Sequence, residues 1–586
     1  MLEVMYQHQH APLPLELLEG APQPVVTLLE VFLEKDPARR FQNPAELLKA
    51  IPAITDALEA RRRITRQRLQ KTPSTASRVG TRKPPTRLAS KKISILIVEK
   101  SAQLARRVGE ATVEVSAFFM GRVLGLTQYF NESHLVKQGL RFWFTNDEVK
   151  SLDEASELDG HYQVRLPSYQ LHRAVFDEEV LRRACAAGVE LLRPASVTKV
   201  ELSPGGKQTI TVRHGETTET IRAHWIVDAS GVAALLARKE GWWRQNTDHP
   251  TAAAWSRWKG VKDWDSYELA EKYPRWASAV CGIRGTATNH VIGDGWWSWW
   301  IPLKGGDVSV GVVFDQRIVD WPHVGGKLGD RLKTFLMQHP VGREMLVDAQ
   351  FDEDDVHWRK NLAYYSTTFA GDGFVLVGDA AAFMDPFYSP GMDWIAFTTT
   401  SAAELITTQR RGEPMAQRVE RYNRDFALSY RSWFESVYKD KYEYMGEWDL
   451  MSLAFRLDLG LYYLGIVSQP FKLGVKALLS PPFTTSLSGP VFHLMRTYNR
   501  RFAQIARRRR RMGALGKANR GQRCLIKGFT LSRGDIRLLF KPLFKWAWLE
   551  LKEGWRSWWQ ARENKVPVRI VAMREQRETV GDSSRL

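Results

Sequence analysis

The run GFVLVGDAAAFMDPFYSPGMD, from Gly373 to Asp393, constrains the fold more than any other part of this 586-residue chain. Its apolar first half predicts a buried β-strand that ends near Asp379, and small alanines follow at once. A proline and a glycine then lead into a predicted helix. A strand, a tight turn and a helix N-terminus in this order predict a parallel α/β sheet with a ligand site at the end of the strand.

Two other stretches have the same organisation. ISILIVEK, which begins at Ile93, is an apolar β-branched run that ends in the acid Glu99, and WIVDASGVAALL, which begins at Trp225, is a strand that leads into a glycine turn. In a dinucleotide-binding fold, an acid in the position of Glu99 accepts hydrogen bonds from ribose hydroxyls. The G-x-G-x-x-G turn that should precede this strand occurs nowhere in the sequence.

These motifs, together with an R-x-x-F-D helix that begins at Arg173, resemble the FAD-dependent monooxygenase and halogenase superfamily over about residues 93–430. The resemblance implies an α/β fold with an FAD-binding, Rossmann-type (glutathione-reductase-like) domain that lacks its first βα unit. A mixed β-sheet substrate domain at about residues 240–345 and a helical C-terminal region would complete it. The implied FAD-binding residues are Glu99, Arg107, Gly109, Arg173, Asp379, Pro386 and Gly391.

A cluster of four tryptophans lies in WWSWWIP, from Trp296 to Pro302. It contains W-x-W-x-I-P, the signature of flavin-dependent halogenases, as Trp297, Trp299, Ile301 and Pro302. Alternation along a strand places Trp297 and Trp299 on one face, where their rings could separate the flavin from an organic substrate. Packing of an aromatic strand within a sheet explains the same pattern without a role in catalysis.

Lys137, in HLVKQGLRFWF, falls where the halogenases keep the lysine that passes hypohalous acid to the substrate. Its apolar neighbours predict partial desolvation, a lowered pKa and a more nucleophilic amine. The alternative is an ordinary surface lysine. On the resemblance, the catalytic residues are therefore Lys137, Trp297, Trp299 and Pro302.

The turn PFYSPGMD departs from the halogenase pattern at the halide site. The family's two backbone N–H donors correspond to Pro390 and Gly391, and proline has no N–H. We therefore expect halide at the Ser389 hydroxyl and Gly391. Tyr388 stands where tryptophan halogenases keep a glutamate, which favours a phenolic, pyrrolic or carrier-bound substrate over free tryptophan.

The resemblance implies an oxidoreductase that uses reduced FAD from a separate flavin reductase, oxygen and halide to halogenate an electron-rich aromatic or carrier-bound substrate. Two alternatives stay open. Pro390 favours a flavin-dependent monooxygenase or dehydrogenase that does not halogenate, and the missing pyrophosphate turn favours a non-catalytic fusion product. No cluster of ligand residues predicts a metal site.

Residues 1–70 are separate in character. The stretch from Leu28 to Ile51 resembles the last helices of a protein-kinase C-lobe, but the kinase catalytic motifs are missing, so kinase activity is not expected. Residues 71–92 are rich in proline, serine, threonine and basic residues, which predicts a flexible basic linker.

The formal net charge is +19, which favours anionic partners. The arginine-rich run from Ala506 to Arg523 predicts either a solvated, mobile face or an anion site. Residues 431–586 are predicted to be helical, basic and aromatic, and the stretch from Leu539 to Arg562 is typical of either a substrate lid or an interfacial membrane helix. Specific nucleic-acid binding is not expected without a known module. The expected location is cytoplasmic, and peripheral contact with a membrane through the C-terminal region is a second expectation.

Overall fold

A computed structural model describes residues 18, 20–32, 34, 41, 44–60, 62–66, 93–160, 167–280, 282–322, 326–486, 488–526 and 532–556. Its contacts divide the chain into two compact units, Met1–Ile93 and Ser94–Leu586. In the first unit, helices α1 (Gln23–Phe32) and α2 (Pro44–Glu59) pack around Val31 and Ile54. The predicted linker, residues 71–92, lies wholly outside the described residues.

The second unit contains all the described strands and most of the helices. The strands are β1 Leu96–Val98, β2 Leu135–Val136, β3 Leu140–Phe144, β4 Ser156–Gly160, β5 Tyr169–Gln170, β6 Glu190–Leu192, β7 Ser196–Glu201, β8 Gln208–His214, β9 Thr217–Ala223, β10 Ile226–Asp228, β11 Trp243–Gln245, β12 Thr251–Lys259, β13 Thr288–Gly293, β14 Trp296–Pro302, β15 Val308–Asp315, β16 Gln350–Phe351, β17 His357–Lys360, β18 Tyr364–Ser366, β19 Ala370–Gly371, β20 Phe374–Leu376, β21 Ala382–Phe383 and β22 Arg523–Ile526. The helices are α3 Glu114–Phe118, α4 Thr127–Ser133, α5 Arg173–Ala186, α6 Leu235–Lys239, α7 Tyr267–Lys272, α8 Pro274–Ser278, α9 Leu328–Met337, α10 Pro340–Leu346, α11 Gly391–Arg410, α12 Ala416–Trp433, α13 Trp448–Tyr462, α14 Ser468–Leu473, α15 Ser488–Arg511 and α16 Arg537–Leu549.

The largest sheet in the described part of the chain has nine strands, in the order β16-β12-β15-β14-β13-β3-β4-β22 with β17 beside β12. It is mixed, because β3 pairs in parallel with β13 and β22 pairs in parallel with β4, while the other pairs are antiparallel. The sheet extends beyond residues 240–345, the range predicted for the substrate sheet, because β3, β4, β16, β17 and β22 lie outside that range. The C-terminal region is not purely helical either, because β22 returns to this sheet.

The dinucleotide-binding part consists of short parallel strands in two separate sheets. β1 pairs with β6, and β10 pairs with β20, which β19 extends in antiparallel fashion. Among the described residues, no strand pairs with the second edge of β1 or of β10. The parallel pairing of β1 with β6 and of β10 with β20 agrees with the expected Rossmann-type part of the fold. The lack of its first βα unit stays a prediction, because residues 67–92 lie outside the described part of the chain.

The tryptophan strand β14 contributes to both faces of the large sheet. Trp297 and Trp299 are buried in one hydrophobic cluster, and Trp296 and Trp300 are buried in another. A Cβ at Gly311, on the neighbouring strand, would lie 2.2 Å from the Trp299 ring, so only glycine leaves room for this indole. The predicted alternation of the tryptophans is confirmed.

The arginine-rich run is not a free, solvated face. Arg509, at the end of α15, bonds Glu447 at 2.6 Å, Asp449 at 2.7 Å and Glu553 at 3.0 Å. Arg510 bonds Asp294, in the turn before β14. The run therefore stabilises the packing of α15 on its neighbours, because carboxylates from three separate places in the chain bond these guanidinium groups.

Candidate active site

A cavity of about 750 Å³ lies in the second unit, between the region of β3, the start of α11 and the helices α13–α15. Charged and phenolic side chains line it alongside apolar ones, and they include Glu114, Lys137, Tyr388, Asp393, Tyr462 and Tyr463. One wall is the helical stretch Trp448–Leu479. This stretch is the one described segment long and apolar enough to span a membrane by length and composition, and half of its most apolar window is buried in the fold.

Lys137 is held in the wall of this cavity by its position after β2. Its backbone N–H donates to Ser168 at 2.9 Å, and its Nζ donates to the carbonyl oxygen of Thr112 at 2.8 Å. The side chain is only 2% exposed. Burial lowers the pKa of Lys137 to about 8, while the charges of Glu114 and Asp393 act in the opposite direction. The structure therefore places a buried amine that titrates near neutral pH in the cavity wall.

Two carboxylates near Lys137 were not identified from the sequence. Asp393 accepts hydrogen bonds from the Tyr462 hydroxyl and the Ser116 N–H, both at 2.8 Å, and Glu114 accepts one from the Tyr463 hydroxyl. Burial raises the pKa of Asp393 to about 7, against the effect of these hydrogen bonds. The only sequence signal is the pair Tyr462–Tyr463 in the aromatic stretch GLYYLG, which gives no indication of its partners.

The turn before α11 has an unusual backbone. Tyr388 has φ +68° and Ser389 has φ +56°, which puts two consecutive non-glycine residues in the left-handed region. Such a conformation is unfavourable and persists only where surrounding contacts enforce it. Pro390 follows as the residue that caps α11, and its carbonyl oxygen accepts from the Trp394 N–H at 2.9 Å.

Asp385 anchors this turn from inside the fold. Its carboxylate accepts from the Phe387 N–H at 2.8 Å and the Tyr442 hydroxyl at 2.9 Å, and His249 Nε2 lies 2.7 Å away. Tyr388 is also held, because its hydroxyl donates to Asp458 at 3.1 Å. These contacts fix the residues directly before the predicted halide residues Ser389 and Gly391.

Asp458 is half of a buried ion pair in the cavity wall. Lys441 Nζ lies 2.6 Å from its Oδ2, and the Tyr498 hydroxyl donates to its other oxygen. Burial lowers the pKa of Lys441, although the charge of Asp458 acts in the opposite direction. This lysine is paired, whereas the Nζ of Lys137 is bonded to a neutral carbonyl.

Trp297 and Trp299 are buried in the fold beside β15 and the turn before α11. Trp297 donates from Nε1 to the Tyr442 hydroxyl at 2.8 Å, and its ring centroid is 5.1 Å from that of Phe387. Trp299 donates to the Ser309 hydroxyl at 3.1 Å. Pro302 ends β14. None of the three is among the residues that line the cavity, so their role as a wall beside the substrate stays a prediction.

The residues predicted to contact the flavin are partly brought together. Arg173 donates to both carboxylate oxygens of Asp177, at 2.9 and 3.0 Å, and to the Val108 carbonyl at 3.0 Å. A Cβ at Gly109, where φ is +92°, would lie 2.7 Å from Arg173 Nη1. Burial raises the pKa of Asp379 to about 6, while the charges of Arg173 and Arg359 act in the opposite direction.

The fit of FAD to these residues is good at the flavin end. No described residue donates a hydrogen bond to the Asp379 carboxylate, and a Cβ at Gly391 would meet no atom within 4 Å. A carboxylate that accepts no hydrogen bond from the described residues suits the hydroxyls of a ribityl chain, and the N-terminus of the 20-residue helix α11 suits an electron-rich ring.

The set of residues predicted to bind the adenosine and pyrophosphate part of FAD is less complete. Glu99 follows β1 as predicted, but its carboxylate accepts from the Ser101 N–H at 2.8 Å. Arg107 is exposed, and Pro386 is half-buried in the anchored turn. The described residues before and after β1 contain no glycine-rich turn for a pyrophosphate. Among the same residues, no group of three His, Cys, Asp or Glu side chains could hold a metal ion.

A family model and several known proteins match this chain. The model of the family described as tryptophan halogenase matches residues 147–439, half of the 586-residue chain. Flavin-dependent halogenase chlA of Dictyostelium discoideum is 26% identical over 327 residues, which cover 51% of this chain and 52% of that protein. Tryptophan 2-halogenase of Chondromyces crocatus is 25% identical over 336 residues, 55% of this chain and 58% of that protein.

Solved structures share the fold. The halogenase PltM in complex with phloroglucinol and FAD superposes with a TM-score of 0.61 at 16% identity, over 78% of this chain and 91% of PltM. The flavin-dependent halogenase CmlS superposes with a TM-score of 0.51 at 19% identity, over 78% of this chain and 74% of CmlS. The chain spans little more than half the length of the two sequence relatives above.

Proposed function

Because the chain belongs to the tryptophan halogenase family, we propose that it is a flavin-dependent oxidoreductase that halogenates an electron-rich aromatic or carrier-bound substrate. Asp379, Arg173 and the N-terminus of α11 would hold the flavin end of FAD. Reduced FAD, supplied by a separate flavin reductase, would provide the oxidising chemistry together with oxygen and halide. We also propose a cytoplasmic location, where reduced nicotinamide for such a reductase is available.

The observation that supports this proposal best is the position of Lys137. Its amine is buried in the cavity wall and bonded to the Thr112 carbonyl, and its pKa of about 8 makes the neutral form accessible near neutral pH. A neutral amine has a lone pair that can bind an electrophilic halogen species, whereas an ammonium has none. Glu114 and Asp393 lie near enough to balance the charge when the amine is protonated.

The cavity favours a phenolic or pyrrolic ring. Aromatic side chains in its wall include Tyr388, Tyr438 and Phe455, which offer flat surfaces for a ring to pack on. Its volume of about 750 Å³ also leaves room for more than one ring or for a linked arm. A further relative, gedL of Aspergillus terreus, which is 25% identical over 351 residues, is named as a halogenase of sulochrin and not of tryptophan.

Monooxygenation without halogenation is the second candidate, and Pro390 is the observation that favours it. Proline at the start of α11 offers no N–H to a halide. A third candidate is a non-catalytic chain, because the described residues supply no pyrophosphate turn. The three candidates differ in product and in flavin binding, so one set of measurements separates them.

The test combines the purified chain with FAD, a flavin reductase and a panel of phenols and pyrroles, in chloride or bromide buffer. We expect products whose masses contain the halogen supplied. Lys137→Ala should remove the halogenated product and leave flavin binding unchanged, whereas Lys207→Ala, on the exposed loop before β8, should change neither.

An oxygenated product in both buffers would contradict halogenation and favour monooxygenation. An absence of bound flavin at millimolar FAD would contradict both catalytic proposals.

A further inference from the structure

The helix α16 and its continuation to Arg556 present a row of large apolar side chains to solvent. The row consists of Phe540, Phe544, Trp548, Leu551 and Trp555, which are 54–74% exposed. They recur every three or four residues, so they lie along one side of the helix. An exposed apolar row of this size is unusual on a protein surface and marks a place of contact.

The opposite side of the same helix is packed against the fold. Leu539 and Pro542 are buried, and the Trp546 ring lies 6.1 Å from that of Tyr498. The acids of this segment are on that inner side, because Glu550 bonds Arg501 and Glu553 bonds Arg509. Neither of these carboxylates therefore neutralises basic residues on the outer side of the helix.

Basic residues flank the apolar row, namely Arg537, Lys541, Lys545, Lys552 and Arg556. All five are exposed. No described carboxylate forms an ion pair with any of them. The outer surface of this helix thus combines aromatic and aliphatic side chains with uncompensated positive charge, in a chain whose formal net charge is +19.

This surface lies close to the cavity described above. The turn Arg533–Ile536, which leads into α16, contacts the segment Tyr463–Val467 of the cavity wall. Ile536 in that turn is 53% exposed, and Leu473, which lines the cavity, is 63% exposed. Exposed apolar residues thus occur both on α16 and at the rim of the cavity.

We propose that this helix binds the chain to the surface of an anionic phospholipid bilayer. Tryptophan and phenylalanine side chains insert favourably at the boundary between headgroups and acyl chains, and lysines beside them are attracted to anionic headgroups. A second copy of the chain is a poorer occupant, because a twofold contact through this row would bring the same basic residues together. The proposal does not depend on the chemistry in the cavity.

The test is co-sedimentation of the full chain with vesicles of phosphatidylcholine alone or of phosphatidylcholine with phosphatidylglycerol. One variant, Phe544→Gln with Trp548→Gln, removes part of the apolar row, and another, Lys541→Glu with Lys545→Glu, reverses part of the charge. Tyr267→Gln is the matched control for the first, since Tyr267 is 96% exposed elsewhere. Lys207→Glu with Lys360→Glu, at two other exposed lysines, is the control for the second.

We expect the wild-type chain to sediment with the anionic vesicles. Both helix variants should bind these vesicles at least about tenfold more weakly than the wild type. The controls should bind like the wild type, and circular dichroism should show the same melting profile for all variants.

Equal binding by the helix variants, or no binding of the wild type to anionic vesicles, would overturn the proposal. A dimer in sedimentation equilibrium that the Phe544 and Trp548 substitutions dissolve would identify a second copy instead. All of these measurements omit flavin, halide and substrate, so their outcome is independent of the halogenase proposal.

Discussion

Lys137 donates a hydrogen bond from its buried Nζ to the carbonyl oxygen of Thr112 at 2.8 Å. Thr112 is itself fixed, because its N–H donates to the Tyr169 carbonyl at 2.9 Å and its hydroxyl accepts from the Tyr169 N–H at 2.7 Å. The amine is thus held by backbone and not by a carboxylate. A buried ammonium without a direct anionic partner destabilises the folded state, and this cost can be measured.

Lys137→Met should stabilise the protein at pH 7. The folded-state pKa of about 8 lies below the ordinary 10.5, so the cost of burial is complete below pH 8 and disappears as the pH rises to 10.5. We expect the free energy of unfolding at pH 7 to rise by about 2 kcal/mol, after allowance for the lost hydrogen bond. Urea unfolding at pH 7 and pH 10 measures it, and the gain should shrink at pH 10.

Lys441→Met is the matched control for this experiment. Lys441 is also fully buried, but its Nζ lies 2.6 Å from Asp458. Its loss would leave an unpaired buried carboxylate, so we expect destabilisation by about 3 kcal/mol. Stabilisation by Lys441→Met, or destabilisation by Lys137→Met, would contradict the contrast between the two lysines.

Halogenation should depend on pH through Lys137. If the neutral amine is the active form, kcat/KM rises as the pH increases through about 8. Glu114→Gln removes a charge that raises this pKa, while the amide oxygen can still accept from Tyr463, so the midpoint should move to lower pH. Glu216→Gln, on an exposed turn, should leave it unchanged. A midpoint that moves to higher pH would exclude Lys137 as the titrating group.

Pro390→Ser should strengthen halide binding. The substitution restores one N–H beside Gly391, and we expect the halide concentration for half-maximal rate to fall by roughly five- to tenfold. Pro481→Ser, at another proline of the cavity wall, is the control. Titration of the rate with chloride and bromide measures the effect. If the wild type already saturates at low millimolar chloride and the serine variant does not improve on it, halide does not bind at Pro390 and Gly391.

FAD affinity should be weak, with a dissociation constant above about 1 µM, because the described residues supply no glycine-rich turn and the pyrophosphate loses several charge-assisted N–H bonds. Asp379→Ala should weaken binding by a further factor of about ten. Quenching of flavin fluorescence measures both values. Binding well below micromolar would indicate that another segment provides the turn.

Much of the flavin end of the site was predicted from the sequence. The Arg173–Asp177 pair, Asp379 at its strand end and the alternation of Trp297 and Trp299 depend on residues within a few positions of one another. Helix spacing and strand alternation are local properties of the backbone, so a motif is enough to specify them. Lys137 was also predicted, from a family resemblance and its apolar neighbours.

The surroundings of Lys137 were decided only by the tertiary structure. Asp393 accepts from Ser116, which is 277 positions away, and Glu114 accepts from Tyr463, which is 349 positions away. The same holds for the pairing of Arg509 with Glu447 and for the return of β22 to the large sheet. Nothing in a local pattern selects among so many distant carboxylates and strand edges. These partners are chosen because the packing of whole helices and sheets leaves buried polar groups that must find hydrogen bonds with one another.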